Sequence, residues 1–143
     1  MLARLSRFAA YSPAERSLLV EAGALLLVVR LLLRPTPFTR LRAGLDRLAR
    51  RSRRGLPRSV EQVAWGIGMA QPFVPRASCL TQALAADVLL RRSGHDALLH
   101  LGVRHAADGA VRAHAWLESG GRIVVGGPGH ERYEPLTSIA STA

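Results

Sequence analysis

Near Gly94 the apolar pattern of this 143-residue chain changes period, and that change limits the folds open to it. Before it, apolar residues recur at the three- and four-residue spacing of helices; after it they alternate in short runs separated by glycine-containing turns. Helices followed by an antiparallel meander give an α+β fold. Ser12-Pro13-Ala14-Glu15 is a capping box with proline at the first helical position, and it opens a run to about Leu33. Pro35-Thr36-Pro37 stops that run, and Phe38 to Arg54 supplies a second helix before Gly55-Leu56-Pro57. Ser59 caps a short helix to Ala70, Gln71-Pro72-Phe73-Val74-Pro75 is a rigid connector, and Ser78 caps another helix that ends near Gly94. Strands are expected over Leu98–Arg104, Val111–Glu118 and Arg122–Val125, joined by Ala107-Asp108-Gly109 and Ser119-Gly120-Gly121. The chain divides into an Arg-rich helical region, 1–58, and a core, 59–143, with the cysteine-bearing helix packed on the sheet.

The formal charge of +10 resembles a nucleic-acid signal, but its make-up argues otherwise. All 20 basic residues are arginine, and lysine and asparagine are both absent, as a GC-rich coding bias produces. Residues 1–58 hold 13 Arg against 3 acids, and residues 59–143 hold 7 against 7, so the excess lies in the helical region. Arg40, Arg42, Arg47, Arg50, Arg51, Arg53 and Arg54 surround Leu41, Leu45 and Leu48 with no interleaved aromatics, which reads as a solvated face; no nucleic-acid partner is expected. Ser17–Leu33 is strongly apolar, yet Glu21 and Arg30 interrupt it and a span needs about 20 apolar residues. It reads as a buried or partner-facing helix, with contact at a membrane surface as the alternative. One cysteine makes no intrachain disulfide, and a cytoplasmic location is expected.

That cysteine, Cys79, directly follows the cap Ser78. In a first helical turn the unpaired backbone N–H groups and the positive end of the dipole favour a thiolate, the form that attacks carbonyls. The same N–H groups can stabilise an oxyanion. Thirty-five residues on, His114 lies in Ala113-His114-Ala115-Trp116-Leu117-Glu118, where it shares a strand face with Trp116 and Glu118. A thiol at a helix start followed by a histidine on a strand is the order in which papain-like and transglutaminase-like folds assemble nucleophile and base. The plainer alternative is a small buried cysteine and a structural histidine.

Ser78-Cys79-Leu80-Thr81-Gln82-Ala83-Leu84-Ala85, Leu89-Leu90-Arg91-Arg92-Ser93-Gly94, Leu101-Gly102-Val103, the His114-Ala115-Trp116 strand and Gly121-Arg122 together resemble the lasso-peptide leader peptidases, transglutaminase-like cysteine proteases of bacteria. The resemblance covers about residues 60–136. It implies a cysteine peptidase that removes the leader segment from a ribosomally made precursor peptide, with Cys79 as nucleophile and His114 as general base and acid. It implies as partners the precursor, a separate leader-recognition protein and a lasso cyclase. Residues 1–58 read as helices without the strands such a recognition module needs, which makes this the stand-alone protease.

The third member of the triad departs from the family pattern. An Asp is usual about where Gly126 or Gly127 stands, and no carboxylate is there. Glu118 lies about 13 Å along the strand from His114, beyond a direct hydrogen bond. Glu131, Asp108, a backbone carbonyl or a water are the other options for orienting the ring. His95, His100, His105 and His130 lack the paired spacing of zinc ligands, and Gly126-Gly127-Pro128-Gly129 matches no phosphate loop, so neither metal nor cofactor is expected. Outside peptidases, the residues also fit a catalytically inactive transglutaminase-like structural or regulatory protein, or a basic helical adaptor binding membrane or nucleic acid through residues 1–58.

Overall fold

The computed structural model describes residues 2–51 and 57–143, with side chains described from residue 6 onward, apart from 52–56; Arg53, Arg54 and the Gly55-Leu56 break lie outside it. Among the described residues, five α-helices precede a four-stranded antiparallel sheet: α1 (Leu2–Ala10), α2 (Pro13–Leu32), α3 (Phe38–Arg51), α4 (Val60–Ala70) and α5 (Cys79–Arg92), then β1 (Ala97–His105), β2 (Val111–Ser119), β3 (Arg122–Val125) and β4 (Glu134–Ser141). The α+β architecture expected from the change of period is therefore present.

The helix starts follow from their caps. Ser12 Oγ accepts from the Glu15 backbone N–H while the Glu15 carboxylate accepts from the Ser12 N–H, and Ser59 and Gln62 do the same for α4. Ser78 Oγ accepts from the Thr81 N–H at the head of α5. Each such cap satisfies orphan donors and stabilises a helix by about 1 kcal/mol.

The sheet order is β3-β2-β1-β4. β4 and α1 were not read from the sequence. β4 is mostly exposed and offers Glu134-Pro135-Leu136-Thr137-Ser138 in place of an apolar alternation, so its pairing with β1 decides its conformation.

One hydrophobic core joins the helices to one face of the sheet. Leu18, Leu25, Leu26 and Val29 of α2, Leu41 and Leu45 of α3, Val63 and Ile67 of α4 and most of α5 are buried with Leu99 of β1 and Ala115 and Leu117 of β2. Helix α2 packs against α4 and α5, which settles where residues 12–33 go: onto this domain. Its outer side is another matter. Val20, Leu27, Val28, Leu31 and Leu32 are exposed, so the helix is apolar nearly all round and leaves an uncovered face. Among the described residues no helix is long and apolar enough to cross a membrane.

The other face of the sheet carries His100, Gly102, His114, Trp116 and Glu118, as the register pairs His100 with Trp116 and Gly102 with His114. Gly102 makes room for the indole. A Cβ there would lie 2.9 Å from the Trp116 ring and 3.0 Å from the Glu134 carbonyl oxygen. Gly102→Val is expected to cost about 1–3 kcal/mol of stability, read as a lowered urea midpoint at unchanged slope.

Candidate active site

Cys79 occupies the first residue of α5, half-buried against the core. The Thr81 N–H is taken up by Ser78 Oγ and the Gln82 N–H by the Ser78 carbonyl, which leaves the N–H groups of Cys79 and Leu80 at the helix mouth. Pro75 and the residues after it deliver the chain to this point: Arg76 adopts a positive φ of 60° and the Gln82 side chain donates to the Ala77 carbonyl at 3.2 Å.

His114 is half-buried on β2, and its ring is held on three sides. Nε2 lies 2.8 Å from the Gly126 carbonyl oxygen, the ring stacks on Trp116 with centroids 5.9 Å apart, and Tyr133 lies against it at 4.8 Å. Tyr133 is in turn covered by the Arg104 guanidinium, 5.4 Å from its centroid. The loop from Gly126 to Tyr133 thus folds back over the face of the sheet that the helices leave open. Within it His130 Nδ1 lies 2.7 Å from the Gly127 carbonyl oxygen, and its ring approaches Trp116 at 5.7 Å.

None of the carboxylates weighed as an orienting group reaches His114. Glu118 lies 3.3 Å from His100 Nε2, Asp108 accepts from the Ala110 N–H, and Glu131 lies 3.2 Å from His130. A backbone carbonyl fills the position instead. A backbone carbonyl was among the options the sequence left open, but not which one, since a carbonyl has no residue-type signature; Tyr133 was not assigned and is brought in only by the fold of the loop.

The structure does not join Cys79 to His114 by a hydrogen bond. Alternation along β2 turns Ala115 and Leu117 toward the helices and His114 and Trp116 away from them, whereas Cys79 packs against the helix-side core. Among the described residues no cluster of His, Cys, Asp and Glu has the geometry to hold a metal ion.

Behind the cysteine, the far end of α5 is tied to the other helices by a partly buried ionic network centred on the buried Arg91–Asp87 pair. Arg91 donates to Asp87 at 2.8 Å and to Asp46 of α3 at 2.7 Å, while Arg92 pairs with Glu21 of α2 at 2.6 Å. Arg42 of α3 lies 3.7 Å from Asp87 and donates to the Ser141 hydroxyl at the end of β4. Burial pushes the Asp87 carboxyl above the usual range, against the pull of Arg91 and Arg42.

No curated protein and no solved structure matches the chain in comparisons of sequence and fold. The family model described as the Transglutaminase-like superfamily matches residues 23–138, from within α2 through most of β4. A capped helix that starts on a cysteine, packed on an antiparallel sheet whose second strand carries a histidine, is the arrangement this match spans, and the chain belongs to the Transglutaminase-like superfamily.

Proposed function

We propose that this protein is a cysteine peptidase that removes the leader segment from a ribosomally made lasso-peptide precursor, acting in the cytoplasm. The observation that carries the reading is the place of Cys79 in the first turn of capped α5 within a transglutaminase-like domain. The Cys79 thiolate attacks the scissile carbonyl, and the N–H groups of Cys79 and Leu80 receive the oxyanion. His114 takes the thiol proton and gives it to the leaving amine, and water then releases the acyl group from sulfur with His114 as base. Because the resting structure has no bond between sulfur and imidazole, this chemistry requires the ring to approach Cys79 in the substrate complex, where catalytic contacts tighten.

The test is reconstitution. The chain is mixed with a lasso-peptide precursor, a leader-recognition protein and a lasso cyclase, and mass spectrometry follows the leader. Release of an intact leader only when the chain is present supports the reading; an uncut precursor with all components present sinks it.

The exposed aliphatic face of α2 is the surface we assign to the recognition protein, with a membrane surface as its competitor. Leu31→Glu is expected to weaken association with that protein at least tenfold by titration calorimetry while changing stability by no more than about 0.5 kcal/mol. Binding to anionic vesicles that Leu31→Glu abolishes, with protein association intact, would reassign the face. The lack of a hydrogen bond between Cys79 and His114 favours a second reading, a transglutaminase-like protein that regulates without catalysing; the reconstitution assay decides between the two.

A further inference from the structure

We propose that the Gly126 backbone carbonyl is the orienting group for His114, in the place where the family pattern expects an acidic side chain, and that it makes Nδ1 the basic nitrogen of the ring. The inference rests on the peptidase reading for its catalytic meaning, and its structural content stands alone.

A carbonyl oxygen can only accept a hydrogen bond. At 2.8 Å from Nε2, it requires that nitrogen to carry the proton in the neutral ring. Nδ1 is then left with its lone pair, and among the described residues it has no hydrogen-bond partner. Which nitrogen acts as base is thus set by what the other one binds, here through the backbone. A carboxylate would do more: it would also stabilise the imidazolium electrostatically. The carbonyl dipole supplies the orientation and a smaller share of that stabilisation.

The loop is built to present this oxygen. Gly126 has φ +78°, in the left-handed region, and a Cβ at this position would lie 2.5 Å from the Ala115 carbonyl oxygen and 3.0 Å from the Trp116 Cα. No side chain fits, so the chain can bend off β3 here only as glycine, and an aspartate at 126 is excluded by the same contact. Trp116 and Tyr133 hold the ring in register with the carbonyl, so aromatic packing and one hydrogen bond supply the orienting part of what a carboxylate does elsewhere.

The experiment reads the tautomer directly on the full chain. With uniform nitrogen-15 label, long-range proton–nitrogen correlation spectra are recorded at a pH where the ring is neutral, and the His114 signals are assigned by their loss in His114→Gln. The expected spectrum shows a protonated Nε2 and an unprotonated Nδ1 for His114. The reverse tautomer, or the rapid mixture seen for a free histidine, overturns the proposal. Gly126→Ala is expected to shift His114 toward that mixture and, in the reconstituted reaction, to lower kcat by about tenfold with little change in KM. If Gly126→Ala fails to fold, the wild-type spectrum still decides. A wild type with the expected tautomer and no cleavage upholds the carbonyl's hold on the ring and removes the peptidase reading alone.

Discussion

Cys79→Ala is expected to lower precursor cleavage by a factor on the order of 10⁴ to 10⁶, to the level given by the remaining oxyanion donors and substrate binding. His114→Ala should bring a comparable loss. The informative result is the double variant. If sulfur and imidazole work as one unit, Cys79→Ala/His114→Ala cleaves no more slowly than either single variant, because each alone already removes the unit. The structure makes this measurement decisive, since it leaves the two side chains without a hydrogen bond and turns His114 toward Trp116 and Tyr133. Initial rates from the reconstituted reaction give the cycle. Losses that multiply would mean two independent contributions, with His114 acting through the fold and another group accepting the thiol proton; a Cys79→Ala protein that cleaves normally would end the nucleophile assignment.

Local signals were legible in the sequence wherever one residue type does a specific job. Ser12, Ser59 and Ser78 were recognisable as caps because a hydroxyl there meets N–H groups three residues on, and all three form those bonds. The first three strands were legible because β1 and β2 bury one face, which imposes alternation. β4 was not, because an edge strand with five exposed residues in a row has no such imprint. At the candidate site, residue types pointed to Cys79 and His114, while the group that holds the imidazole stayed open among carboxylates, a backbone carbonyl and a water, because main chain carries no residue-type signal. The orientation of His114 was hidden: alternation says which residues share a face with it, and only the packing of Ala115 and Leu117 on the helices says which face that is. The Arg91-Arg92 pair carried a family resemblance at first and has a physical meaning in the fold, one arginine fastening α5 to α3 and the other to α2.

That fastening yields the largest expected effect on stability. Arg91→Met is expected to destabilise the protein by about 3–5 kcal/mol, lowering the thermal midpoint by about 10 °C or more. The Arg91 side chain is 5% exposed and that of Asp87 is 1%, so removing the guanidinium strands a carboxylate that water does not reach. Arg42, at 3.7 Å, is then its nearest cation, and Asp87 Oδ1 already lacks a hydrogen-bond partner. The pH dependence follows from the direction of the Asp87 shift. Its folded-state carboxyl titrates above the unfolded one because burial penalises the charge, and loss of Arg91 moves it higher still. A folded group that holds a proton the unfolded chain has released favours folding as pH falls, in full below the unfolded value, and that contribution fades as pH rises through the folded value. The deficit of Arg91→Met against wild type should therefore shrink on acidification from neutral pH toward the carboxylate range. Asp87→Leu in the same chain should recover most of the loss at neutral pH, because an apolar pair of similar volume carries no desolvation cost. Urea unfolding of the wild type and both variants at neutral and acidic pH measures all of this, and an Arg91→Met loss below about 1 kcal/mol would show that the network orients α5 without stabilising it.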